Sequence, residues 1–164
     1  MACALPRLPF RSARTMEFRV RIRYRFGDID HAGIAYFPRL LHCFHAAMED
    51  WWADGIGTPY PEILAREGFG LPIAHLEAGF AEPVRYGDEP WIHLGVLGIG
   101  TSSLRLGFHM SRDEHGPALC WARIRLVCVA MDSRRPMPIP DRWRAAFESF
   151  AIREGDFPAT AESS

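Results

Sequence analysis

From Glu17 to Arg25 apolar and charged residues alternate without a break. Phe18, Val20, Ile22 and Tyr24 lie on one side; Glu17, Arg19, Arg21, Arg23 and Arg25 lie on the other. A period of two at this length predicts a strand with one buried face, its arginines forming a solvated face. The period then changes to 3.6. Leu40, Phe44, Ala47, Met48 and Trp51 share one stripe, with His42, His45 and Glu49 opposite. This predicts a helix from Pro38 to Asp54, with proline in the first turn, where its missing N–H costs nothing, and Gly55 as the stop. Thr58–Pro61 is a turn, and a short helix over Glu62–Glu67 ends at Gly68. Four runs then read as strands: Leu71–Glu82, Trp91–Ile99, Ser102–Ser111 and Pro117–Met131. The breaks between them are short, which implies antiparallel neighbours. After a proline-rich bend at Pro136–Pro140, a last amphipathic helix is predicted over Asp141–Ile152, with Asp141 as its N-cap.

One long apolar helix needs cover, and an antiparallel sheet curled around it supplies that cover. The expectation is an α+β fold: about five long strands wrapped around one central helix, with a C-terminal helix. At 164 residues the chain is one domain. We expect that domain over residues 16–152, flanked by a flexible extension over 1–15, with Met16 as an alternative start, and a flexible tail over 153–164.

Composition narrows the function more than the fold. A hydrophobic content of 48% and a charged content of 24% are those of an ordinary globular protein. The formal charge of −1 offers no general attraction to nucleic acid. No apolar run approaches the ~20 residues of a spanning helix. Cys3, Cys43, Cys120 and Cys128 show no C-x-x-C spacing, so neither a zinc nor a redox motif is supported. They read as reduced thiols of a cytoplasmic protein.

The densest chemistry lies between the first strand and the long helix, in Arg25-Phe-Gly-Asp-Ile-Asp-His-Ala-Gly-Ile-Ala-Tyr-Phe-Pro-Arg39. It holds two carboxylates, a histidine and two glycines directly before a helix start. A helix N-terminus offers unpaired N–H groups and a positive dipole end, which suit a developing oxyanion. A carboxylate a few residues upstream can attack a carbonyl or activate a water. Pro38 has no N–H, so the donors come from its neighbours.

Phe26-Gly-Asp-Ile-Asp-His-Ala-Gly-Ile-Ala-Tyr-Phe-Pro38, followed by Phe80-Ala-Glu-Pro-Val-Arg-Tyr-Gly-Asp88, resembles the 4-hydroxybenzoyl-CoA thioesterase-like family of the hot-dog fold. The resemblance implies an acyl-CoA substrate, aryl-CoA included, water as second substrate, and no cofactor or metal. It implies a homodimer joined edge to edge, paired again into a dimer of dimers, with sites that draw on both chains. The family's catalytic acid maps to Asp30, and its oxyanion donor maps to the backbone N–H of Phe37. Glu49 is the alternative base, because other hot-dog thioesterases carry their acid on this helix. His31, Gly33, Tyr36, His45, Ser103 and Arg105 are candidates for lining the substrate, with Asp28 and Asp88 as turn-shaping carboxylates.

Two positions depart from the family pattern. His45 stands where 4-hydroxybenzoyl-specific members carry an Asp that binds the ring hydroxyl. The loop Gly98–Ser103 lacks their basic cluster for CoA phosphates, which leaves Arg105, Arg134 and Arg135 as alternatives. Two other readings stay open: a hot-dog dehydratase or hydratase acting on 3-hydroxyacyl thioesters, and a non-catalytic acyl-CoA-binding module.

Overall fold

The computed structural model describes residues 17–157. The expected N-terminal extension, Met16 and Cys3, and the tail beyond residue 157 lie outside the described residues. The chain runs β1 (Phe18–Arg21), α1 (Phe37–Asp50), α2 (Tyr60–Glu67), β2 (Phe69–Gly70), β3 (Ile73–Phe80), β4 (Trp91–Ile99), β5 (Ser103–Ser111), β6 (Ala118–Val127), β7 (Val129–Ala130) and α3 (Asp141–Glu148). Five strands form one antiparallel sheet in the order β1-β4-β5-β6-β3, and β2 pairs with β7 in a separate ladder. The α+β architecture is the one expected.

The sheet's inner face carries Ile92, Leu94, Val96, Leu104, Leu106, Phe108, Met110, Ala122, Ile124 and Leu126, all buried. Against it lies the predicted stripe of α1: Leu40, Phe44, Ala47, Met48 and Trp51, also buried. The Phe44 and Phe108 rings sit 5.5 Å apart at the centre of this contact. Burying this one apolar stripe is what holds α1 in place. Beyond Asp50 the helix continues as a π-helical turn, Trp51–Gly55, and Ile56 donates its N–H to Trp51 O. Gly55 is obligatory there, because a Cβ would fall 2.7 Å from Trp51 Cδ1. Trp51 and Trp52 meet Trp143, Phe147 and Phe150 of the C-terminal region, closing that end of the core.

Several boundaries differ from the expectation; among them, α3 ends at Glu148, four residues short of Ile152, and β3 begins at Ile73 rather than Leu71. The first strand is paired over four residues only, although burial alternates on to Tyr24. Its partner there is Pro90, which accepts from Ile22 N (3.1 Å) but has no N–H to return, so the ladder stops. The run to Met131 divides at Cys128, whose N–H goes to Ser102 O (2.7 Å) and whose carbonyl accepts from Met137 N (2.9 Å). Asp141 is the first helical residue of α3 and not its N-cap; Pro140 holds that position with extended backbone.

The folded chain also runs past Ile152. Glu154–Asp156 form a 3-10 turn, and Phe157 is 3% exposed on the outer face of the sheet, with Leu97, Trp121 and Ile152. It fits because Gly107 has no side chain: a Cβ there would lie 2.5 Å from the Phe157 ring. The outer face is therefore covered around these residues, while Arg105 and Arg125 on the same face stay exposed. Arg19, His93, His109 and Trp121 follow one another in register across β1, β4, β5 and β6. His93 and His109 are buried with their rings stacked, 4.1 Å between centroids.

Candidate active site

The segment between β1 and α1 is a stack of short-range hydrogen bonds. Phe26–Asp28 make one 3-10 turn. Ile29 then bridges Ala35 in antiparallel fashion, and Asp30 N donates to Ile34 O at 2.9 Å. This encloses a tight loop in which Gly33 N donates to Asp30 O at 3.0 Å. Gly33 has φ of +76°, a left-handed conformation that costs glycine nothing. The side chain of Asp30 turns into its own loop: Oδ1 accepts from Ala32 N (2.8 Å) and Ile34 N (3.4 Å). These amides fix the carboxylate's orientation while the residue stays exposed. Both the capping role and the exposure needed for chemistry are thus present in one side chain.

Two residues after Ala35, helix α1 begins at Phe37, with extended Tyr36 as its N-cap and no side-chain cap. Arg39 N and Leu40 N donate to Tyr36 O, at 2.9 and 3.3 Å. Pro38 has no N–H. The Phe37 amide has no backbone or side-chain acceptor among the described residues, and it heads a helix of 14 residues. A free donor at the positive end of a helix is the geometry an oxyanion site needs.

Asp28 is structural, as expected, and more so than its turn position suggests. It is 9% exposed. Oδ2 accepts from Arg25 N (2.8 Å), and Oδ1 accepts from Arg39 Nε (2.8 Å) and Arg39 Nη2. Burial alone would raise its carboxyl pKa, but the Arg25 amide and the Arg39 guanidinium together outweigh burial and hold it below the usual carboxylate range. Arg39 is the residue the sequence reading missed. The signal for it was a basic side chain in the first turn of a helix, where the dipole favours acid.

The segment Phe80–Asp88 docks on this loop. Ala35 N donates to Val84 O (2.8 Å), Gly87 N to Tyr24 O (3.2 Å), and Tyr24 N to Asp88 O (3.0 Å). Asp88 shapes its turn by accepting from Arg85 N (2.9 Å), and it also pairs with Arg112 (2.9 Å). Large exposed apolar side chains collect on these connected loops: Phe26, Tyr36, Phe37 (62% exposed) and Tyr86.

The other candidates fall in separate places. His31 is exposed at the loop tip, with no hydrogen bond or ion pair among the described residues. His45 and Glu49 pair with each other along the exposed side of α1, Nε2 to Oε1 3.1 Å. Ser103 is half-buried at the start of β5, where its carbonyl accepts from Gly100 N (2.8 Å). Arg105 lies on the outer face, away from α1, and is held by Glu154 (3.2 Å) and Leu97 O (3.3 Å). Arg134 and Arg135 are exposed in the loop after β7.

One group of residues has the makings of a metal site: Glu17, His93 and His109 each offer a ligand atom within 4.8 Å of the others. Their arrangement does not suit an ion. The two rings lie in planes only 4° apart. Lone pairs in parallel planes do not converge on one point. Glu17 Oε2 is already engaged by His93 Nδ1 (3.3 Å) and lies 3.5 Å from Arg19 Nε. Cys43, Cys120 and Cys128 are free thiols; burial pushes Cys120 up to about 12 and raises the other two as well. They pack as apolar groups and do not supply thiolate chemistry.

Comparison with known proteins agrees with this layout. Residues 24–147 match the model of the thioesterase-like superfamily. The chain is 33% identical over 119 residues to a 1,4-dihydroxy-2-naphthoyl-CoA hydrolase of Synechococcus elongatus, covering 72% of this chain and 85% of that protein. It is 28% identical to the protein of that name from a Synechocystis species, covering 73% of this chain and 86% of that one. Among solved structures, a 1,4-dihydroxy-2-naphthoyl-CoA thioesterase from Synechocystis superposes with a TM-score of 0.73 at 26% identity, over 80% of this chain and 96% of that chain. A thioesterase-superfamily protein of a Jannaschia species superposes with a TM-score of 0.77 at 25% identity, over 90% of this chain and 97% of that chain. With the carboxylate loop, α1 and strands β2–β7 inside the matched region, the chain belongs to the thioesterase-like superfamily.

Proposed function

We propose that this thioester hydrolase cleaves an aryl-CoA, with Asp30 as the reactive carboxylate and the Phe37 N–H as the oxyanion donor. The observation that carries the reading is the pairing of these two groups in one loop. An exposed carboxylate is oriented by the Ala32 and Ile34 amides, and seven residues on an unpartnered amide opens a long helix. The thioester carbonyl gains negative charge when attacked, and the Phe37 amide with the helix dipole lowers the energy of that charge. Asp30 serves either as nucleophile, giving an acyl anhydride that water then opens, or as general base for a water. In both routes the CoA thiolate leaves and takes a proton from solvent. Water is the only co-reactant, so no cofactor or metal takes part. Glu49, tied to His45, is the rival base.

Three features support an aryl group. The named relatives act on 1,4-dihydroxy-2-naphthoyl-CoA. Phe26, Tyr36, Phe37 and Tyr86 supply exposed aromatic surface around the loop. The His45–Glu49 pair offers an acceptor for a ring hydroxyl. His31, Gly33 and Tyr36 belong to the same binding face in this reading, with Ser103, Arg105, Arg134 and Arg135 as candidates for the CoA moiety. The sheet edge supports a homodimer: β3 has a partner on one side only and exposes Ile73, Leu76 and Phe80. A second copy pairing there, and a dimer of dimers beyond it, would cover that surface. Among the described residues no helix is long and apolar enough to cross a membrane; a cytoplasmic site of action is part of the proposal.

The test is free-thiol release from 1,4-dihydroxy-2-naphthoyl-CoA, benzoyl-CoA and a linear acyl-CoA. Asp30→Asn is expected to lower kcat by about two orders of magnitude or more with the oligomer unchanged. Near-wild-type turnover by that variant, with Glu49→Gln inactive, would transfer the role to Glu49.

A further inference from the structure

We propose that the Asp28–Arg39 pair is the positioning device of this site, setting the Phe37 amide against the Asp30 carboxylate. The proposal rests on the assignment of Asp30 and Phe37 above, and it concerns two residues that touch neither substrate nor reacting atoms.

The argument starts from where the pair stands in the chain. Asp30 follows Asp28 by two residues, and Arg39 follows Phe37 by two. One ion pair therefore closes the whole loop at its base, with both chemical groups inside it. Asp28 is anchored on the β1 side by Arg25 N (2.8 Å). Arg39 is anchored in the first turn of α1, where its own N–H reaches Tyr36 O (2.9 Å). Arg39 presents Nε and Nη2 to the same carboxylate oxygen, Oδ1. This two-point grip resists rotation, which a single ammonium contact does not.

Among the described residues no other side-chain hydrogen bond or ion pair ties the 3-10 turn to the helix start. The Asp30 carboxylate is oriented by its own loop through Ala32 N and Ile34 N, and the Ile29–Ala35 bridge closes that loop on itself. Those bonds fix the loop internally. The apolar stripe of α1 holds the helix on the sheet, and the Asp28–Arg39 pair is the charged contact that ties its first turn to the loop. Among the described residues, Tyr24 and Cys43 also lie near Asp28 on the core side and are neutral, and the Arg25 charge adds to that of Arg39. Catalysis by a carboxylate and an amide depends on their separation, and a displacement of about 1 Å can cost on the order of 100-fold in rate. Substrate affinity depends far more on the aryl and CoA contacts elsewhere.

The experiment compares Arg39→Met, Arg39→Lys, Asp28→Asn and the Asp28→Asn/Arg39→Met double variant with wild type. All are assayed as full-length protein on whichever of benzoyl-CoA and 1,4-dihydroxy-2-naphthoyl-CoA wild type turns over faster, with Asp30→Asn alongside. Arg39→Met and Asp28→Asn are expected to lower kcat about 10- to 100-fold with KM within about threefold. Arg39→Lys retains the charge without the fork and is expected to recover part of the loss. The double variant is expected to be no slower than the worse single variant, because both remove one device. A merely structural role would lower the folded fraction and leave kcat per folded site and KM unchanged. If Arg39→Met does not fold, Arg39→Lys and Asp28→Asn carry the same test. Full kcat in folded Arg39→Lys and Asp28→Asn, or additive losses in the double variant, would overturn the proposal. Should Asp30→Asn itself retain full activity, the site assignment fails; an inactive Asp30→Asn beside a fully active Arg39→Met removes the positioning role alone.

Discussion

Replacing His109 with Gln should flatten the dependence of stability on pH. His109 is 3% exposed on the outer face of the sheet. Burial first, then the neighbouring His93 and Arg19, push its pKa from the ordinary 6.5 down to about 3. Glu17 and Arg19 face this cluster from the β1 side, and His93 faces it from β4. Glu114 reaches it from the turn after β5 through Arg19, while Trp121 from β6 adds no charge. The folded-state value lies below the unfolded one, so under pH 6.5 the unfolded chain binds a proton that the folded chain rejects. Stability is therefore unaffected by this residue above pH 6.5 and falls as pH drops from there toward 3. Each pH unit in that window costs about 1.4 kcal/mol, so pH 5 costs about 2 kcal/mol. Set against a total of roughly 5–15 kcal/mol, that is a large fraction. Urea unfolding of wild type and His109→Gln at several values between pH 7.5 and 5 measures it. The variant starts lower at pH 7.5, having lost the ring stack on His93. The gap should close by about 2 kcal/mol at pH 5, equivalent to a relative shift in Tm of roughly 4–8 °C. Curves that stay parallel across the range would mean that His109 takes its proton equally in both states, and the reasoning from burial would be refuted.

Other consequences of the structure are open to measurement. Phe157→Ala should destabilise the fold by about 1.5–3 kcal/mol in urea, the worth of one buried aromatic side chain, and Gly107→Val should do similar damage by evicting the same ring. If both variants unfold at the wild-type midpoint, the C-terminal residues do not cover the sheet in solution. Leu76→Lys on the β3 edge should shift the sedimentation profile toward monomer and lower turnover with it, because lysines on an edge strand discourage pairing; an unchanged profile would place the dimer contact elsewhere.

What the sequence made legible was whatever repeats at a fixed period. The stripe Leu40, Phe44, Ala47, Met48 and Trp51 predicted α1 and the face it buries, and the alternation of Phe18, Val20, Ile22 and Tyr24 predicted the core-facing side of the first strand. The carboxylate loop was legible for a different reason: its hydrogen bonds are local, and an Asp, a glycine and a proline within nine residues encode a turn feeding a helix. Contacts between distant positions left no such trace. Alternation placed Arg19 on a polar face and implied solvent. Nothing in the period says that Ile152 and Phe157 return to cover that face, or that Gly95 and Gly107 leave the space for them. Likewise the break at Cys128 depends on Ser102 and Met137, which stand 26 residues before it and nine after it.

Arg39 shows where the limit lies within the site itself. It is one of nineteen arginines in a chain without lysine, so its identity carries almost no information. Its position does. A charged residue in the first turn of a helix normally favours acid, because the dipole there is positive. An arginine at that point is electrostatically misplaced unless a buried anion compensates it, and Asp28 is that anion. The local mismatch, not the residue type, was the readable sign. It argues that loops carrying a reactive group are best searched for the residue that local rules would have excluded, since the fold retains such a residue only where a distant partner holds it.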